Sequence, residues 1–157
     1  MNNSRKSMSS MLEKLRLHSV LLALLMMALF GCQSISSPKE DALYHELGGT
    51  KGIEQIVDIF IYEIGENEVV VHHFEDTDID RFREKQIEHL CVLSGGPCEY
   101  TGDDMIESHL GMNITETEFN SMTNSLITAL DKAGVSLGAR NRLLSILAAM
   151  RGEIIYR

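Results

Sequence analysis

Apolar positions recur along this chain at helical spacing from residue 41 onward, broken at each step by a capping residue or a glycine. Asp41–Leu47 predicts a short helix that stops at Gly48-Gly49. Thr50 stands where a cap for the next helix is needed. Behind it Ile53, Ile56, Val57, Phe60, Ile61 and Ile64 fall at i, i+3, i+4, i+7, i+8 and i+11, the stripe of an amphipathic helix. Glu66–Phe74 is ambiguous, because Val69-Val70-Val71 favours a strand that no neighbouring segment partners. Asp78 caps a helix over Ile79–Ser94, and Gly95-Gly96-Pro97 ends it. Thr115 and Glu118 make a capping box, which leads Phe119, Met122, Leu126, Ile127 and Leu130 into Gly134. Ser136 caps the last helix, with Leu143, Leu144, Leu147 and Met150 inward. The pattern predicts an all-α domain over residues 41–157.

The stretch Tyr100–Ile114, YTGDDMIESHLGMNI, carries the candidate chemistry. Thr101 followed by Asp104 resembles a capping box with aspartate in place of glutamate, and Gly111 suits a left-handed helix end. Met105 and His109 are four residues apart and share one face of the helix so bounded, with Ile106 and Leu110 as the neighbouring stripe. A lone histidine on an apolar helix face is more often a hydrogen-bonded core residue than a ligand. Spacing alone leaves both readings open.

Composition changes the picture at the N-terminus. Arg5, Lys6, Lys14 and Arg16 precede the apolar run Val20–Phe30, whose eleven residues fit a signal-peptide core and fall short of the ~20 needed to span a bilayer. The run ends in Leu29-Phe30-Gly31-Cys32, which resembles a bacterial lipobox. Residues 1–32 are therefore expected to be a signal peptide ending in a lipidated cysteine, with a cleaved secretory signal or an uncleaved anchor as alternatives. Residues 33–40 would be a polar tether, and the domain would sit in the cell envelope on the extracytoplasmic side, lipid-anchored. The leader holds Glu13 and those four basic residues, so the whole-chain net charge of −9 becomes −12 without it. So acidic a chain has no footprint for nucleic acid and no electrostatic pull towards anionic lipid. Attachment to the membrane would fall to the acyl chains. With 44% apolar residues, enough is left to build one core.

Three other constellations invite a chemical reading. Asp76-Thr77-Asp78-Ile79-Asp80 opens like an EF-hand loop, but Arg81 and Ile87 stand where that loop requires glycine and glutamate, so calcium is rejected. His72-His73 beside Glu75 and Asp76 lacks a third ligand at a useful spacing, which argues against a metal ion there. Cys91 and Cys98 match neither a redox motif nor covalent haem attachment. In an oxidising compartment they can form a disulfide; otherwise they are two small apolar thiols.

The segment YTGDDMIESHLGMNIT resembles the proximal region of the group I truncated (two-on-two) haemoglobins, in which a Y-x-G-x-x-M-x-x-x-H pattern carries the haem-ligating histidine. The resemblance runs from about Leu43 to about Ile154 and includes LYHELGG and SGGPCEYTG. It implies a two-over-two helical sandwich, non-covalent haem b, and His109 as proximal iron ligand. Phe74 matches a phenylalanine that packs on the porphyrin, and Phe82, Gln86, His89 and Met105 are expected around the ring. Lys85 matches a position that supplies a second iron ligand in some members and meets a haem propionate in others, and His89 is a further distal candidate. The sequence departs from the family where many members place a distal tyrosine: Ile61 stands there, with Tyr62 one place off. Phe82 stands where a distal glutamine often sits, leaving Gln86 as the donor to a bound ligand. The implied function is reversible binding of a diatomic gas (O2, NO or CO), with NO or oxygen redox chemistry, and hence a reductase partner, beyond it. Two rival readings are a haem-free helical interaction module and a sensor whose iron is closed on both faces.

Overall fold

The computed structural model describes residues 41–157. The expected signal peptide, lipobox cysteine Cys32 and tether fall at residues 1–40, outside the described residues. Seven α-helices follow in order: α1 Ala42–Glu46, α2 Gly49–Gly65, α3 Ile79–Leu93, α4 Met105–His109, α5 Glu116–Lys132, α6 Leu137–Ala148 and α7 Arg151–Ile154, with a 3₁₀ turn at Val71–Phe74 between α2 and α3. Among the described residues there is no strand, and no helix is long and apolar enough to cross a membrane.

The α2 stripe is the centre of the fold. Ile53, Ile56 and Val57 are fully buried, and they meet Leu90 and Cys91 of α3, Leu126, Ala129 and Leu130 of α5, and Ala139 and Leu143 of α6. Two helix pairs thus share one core, each large side chain in it contributing on the order of 1.5–3 kcal/mol relative to exposure. Asn67, just past α2, donates from Nδ2 to the hydroxyls of Ser121 (3.0 Å) and Ser125 (2.9 Å) on α5. That pin turns the chain back and sets the 3₁₀ turn beside the start of α5.

Three predicted caps form as expected: Asp78 accepts from the Arg81 amide at 3.1 Å, Ser136 from Ala139, and Thr115 with Glu118 closes a full capping box. Thr50 does not cap α2. The left-handed turn at Gly48 brings the chain into the helix at Gly49, so Thr50 already lies in the first turn. Its amide donates instead to the Tyr44 hydroxyl at 3.1 Å. The valine run forms a turn, with Val70 buried and Val69 exposed, because burial of one side chain outweighs strand propensity with no partner strand.

Cys91 and Cys98 are disulfide-bonded, their Cα atoms 5.9 Å apart. The bond clips the end of α3 to the segment that leads into α4. Inside it Gly96 is obligatory: a Cβ there would meet the Cys91 sulfur at 2.6 Å and the Tyr44 ring at 2.5 Å.

Candidate functional site

One cavity of about 440 Å³ opens between α3, α4, α5 and the α6–α7 segment. That is within the usual range for a small-molecule or cofactor site. Phe74, Phe82, Lys85, Gln86, His89, Met105 and His109, the residues singled out from the sequence, all line it.

The imidazole of His109 is held by its own helix. Nδ1 lies 2.7 Å from the Met105 carbonyl oxygen. A carbonyl can only accept, so Nδ1 carries the proton, and in the neutral ring the lone pair is on Nε2. Such fixing of tautomer and ring plane by the outer nitrogen is what a metal-ligating histidine needs. The cap of this helix differs from expectation. Asp104 is the N-cap and accepts from the Glu107 amide at 2.8 Å, whereas Thr101 is not part of it. Thr101 is instead tied to α3, its amide donating to Glu88 at 2.9 Å. Gly111 is left-handed (φ 84°) as predicted, but the helix has ended two residues earlier with Leu110 extended. Ile106 and Leu110 do not bracket the histidine; both are exposed.

The α3 wall begins with Phe74 and Phe82 packed edge to face at 5.1 Å, an apolar corner of the cavity. Gln86 is the uncharged polar side chain of this face. His89 lies against Tyr100, ring centroids 5.0 Å apart, and burial pushes its pKa below the ordinary value, so it is neutral at physiological pH. Lys85 bonds Glu88 through both carboxylate oxygens (3.1 Å), and also Glu84 and Thr101. The hydrogen bond it donates to Glu88 raises its pKa above the ordinary lysine value, so Lys85 is a cation at the cavity edge.

Ile61 is not on the cavity; it lines a second hollow behind Phe74 and Phe82. Tyr62 is exposed, with the Lys132 ammonium 5.9 Å from its ring. No tyrosine of α2 therefore reaches the cavity. The sequence reading left out Tyr100, Phe119, Leu147 and Ile154, which also line it. The inward stripe of α5 held the signal for Phe119, whereas Ile154 enters only because α7 folds back on α4.

These features define a helical fold whose two helix pairs enclose a cavity with one fixed imidazole. The family of bacterial-like globins matches residues 42–156. Among curated relatives, the group 1 truncated haemoglobin of Tetrahymena pyriformis is 30% identical over 74% of this chain and 97% of its own length. That of Mycolicibacterium paratuberculosis is 31% identical over 72% and 83%. The crystal structure of the T. pyriformis protein in its Fe(III) form superposes with a TM-score of 0.71 at 30% identity, covering 73% of this chain and 98% of that one. The chain belongs to the group 1 truncated haemoglobin family, and so to the haem-binding globins.

Proposed function

We propose that the cavity holds haem b non-covalently, with His109 as the proximal ligand, and that the protein reversibly binds a diatomic gas (O2, NO or CO). One observation carries this reading: the His109 ring, its proton committed to the Met105 carbonyl, presents Nε2 on the wall of a largely apolar cavity of about 440 Å³. The residues present fit the group. Apolar side chains from α3, α5 and α6 suit the faces of a flat macrocycle, and Lys85 suits a carboxylate at its edge. When bound, haem supplies a redox-active iron with a coordination position for a gas. Met105 fixes the tautomer, Phe74 and Phe82 exclude water, and the Gln86 carboxamide donates a hydrogen bond to the ligand. Lys85 is read as an edge cation, because coordination would require it to leave Glu88 and lose a proton. NO or oxygen redox turnover would need electrons from a reductase.

The haem reading is tested by His109→Ala, which should purify largely without the ~400 nm absorption band of haem while His45→Ala, on α1, keeps it. Equal haem content in the two variants would overturn the assignment.

We further propose that the domain is exported and held at the envelope by lipid on Cys32. The Cys91–Cys98 disulfide supports this, since such bonds persist in oxidising compartments. Cys32→Ser should abolish lipid labelling; unchanged labelling would exclude the anchor.

A further inference from the structure

The sequence gives His72 and His73 no third ligand nearby, but the fold brings one from 45 residues away. The pin of Asn67 onto α5 sets the 3₁₀ turn against Glu118. Glu118 Oε1 then lies 3.0 Å from His73 Nε2 and 3.5 Å from His72 Nε2. The three donor atoms all lie within 4.8 Å of one another.

Hydrogen bonding alone does not require this convergence. The capping box uses the other carboxylate oxygen, Oε2, which accepts from the Thr115 amide at 2.8 Å and the Thr115 hydroxyl at 2.6 Å. Oε1 would be satisfied by His73 alone; a second ring nitrogen at 3.5 Å is at the outer limit of a bond. Yet the His72 ring is tilted over that of His73, centroids 4.0 Å apart, and points its Nε2 at the same oxygen. Around a tetrahedral zinc ion, ligand atoms at 2.0–2.2 Å stand about 3.3–3.5 Å from each other. The 3.5 Å separation is of that size, and the 3.0 Å one needs to open by only a few tenths of an ångström to admit the ion.

We propose that His72, His73 and Glu118 bind one divalent transition-metal ion of the zinc class. Two imidazoles and a carboxylate suit such an ion, whereas calcium and magnesium prefer all-oxygen sets. Thr115 orients the carboxylate from behind, the outer-shell support that metal sites use. His72 is half exposed, which gives the ion a path from solvent and leaves a fourth position for water. His73 and Glu118 also line the large cavity, so the ion would sit in its wall. The proposal does not depend on haem.

The test is equilibrium dialysis of the purified full-length protein, stripped with chelator, against Zn²⁺, with zinc and protein quantified together. Wild type should take up one zinc per chain. His72→Ala and His73→Ala should each weaken uptake by at least about a hundredfold, beyond the roughly 10–100-fold that loss of an outer-shell partner costs. His45→Ala should change nothing. His72→Ala is the decisive variant, because the ring is half exposed and its removal leaves the capping box intact; far-UV circular dichroism confirms its helix content. The same titration in His109→Ala separates this site from the cavity histidine. Failure of wild type to bind zinc at roughly 100 μM, where a micromolar site would be saturated, would overturn the proposal. So would uptake unchanged in His72→Ala, or uptake lost in His109→Ala instead.

Discussion

Reducing the Cys91–Cys98 bond should lower the melting temperature of residues 41–157 by about 10 °C without altering their fold. The bond spans a sequence separation of 7, and closing so short a loop restricts the unfolded chain by about 2.4 kcal/mol at 25 °C in the chain-entropy account. The contacts around it are expected to survive its reduction. Backbone bonds brace the same turn: the Gly96 amide donates to the Cys91 carbonyl at 2.8 Å, and the Tyr44 amide to the Ser94 carbonyl at 2.9 Å. The effect therefore falls on the unfolded state. A domain of this size unfolds with an entropy of about 0.25 kcal/mol per degree, which converts the free energy into the shift stated. The measurement is thermal unfolding by circular dichroism, oxidised against fully reduced, with thiol titration to prove reduction. Haem loading must be matched, because any bound group raises the melting temperature by itself. Cys91→Ala/Cys98→Ala should fall at least as far, since Cys91 is buried and its truncation leaves a small void. An unchanged melting temperature after proven reduction would refute the reasoning.

Glu118 gives a pH signature. Hydrogen bonds from the Thr115 hydroxyl and amide, and then from His73, lower its pKa from 4.5 to about 2. A depressed carboxylate stabilises fully above its unfolded pKa and loses that contribution as pH falls through the folded one. The gap in urea midpoint between wild type and Glu118→Gln should therefore be constant above about pH 5 and close towards pH 2; a gap independent of pH would exclude the ionised capping box. Lys85→Ala should speed haem loss to a scavenger while leaving the ferric spin state unaltered between pH 6 and 10; a change of spin state would identify Lys85 as an iron ligand. Leu130→Ala, fully buried between α2 and α5, should cost about 2–5 kcal/mol by denaturant titration, and a loss under 1 kcal/mol would mean the site collapses freely.

The periodic parts of this molecule are legible in the sequence alone. Ile53 to Ile64 announced the central helix, and Asp78, Thr115 and Ser136 announced three helix starts, because a cap and a stripe are local properties. His109 was legible through resemblance, since spacing left its role open. What could not be read depended on distant residues. Thr50 looked like a cap, but the tyrosine at position 44 took over its amide. Thr101 looked like a cap, but Glu88 on α3 took its amide. Glu118 was recognised as half of a capping box, and nothing near it in the chain announced that its second oxygen would meet two histidines.

Helix α4 is only five residues long, too short to stand on its own in water. Its order is lent by residues 151–157. The Asn113 amide donates to the Arg157 carbonyl and the Tyr156 amide to the Ile114 carbonyl, each at 2.9 Å. Both Asn113 (φ 49°) and Tyr156 (φ 55°) are in the left-handed region, and for the tyrosine this costs about 1–2 kcal/mol. Residues 105–114 and 151–157 are thus tied by the same pair of bonds and are expected to open together. In the native ensemble, the amides of residues 105–113 should exchange with solvent in step with those of 151–156, at a free energy below that of global unfolding. How long His109 stays in place is then set by the fraying rate of a segment more than forty residues further along the chain.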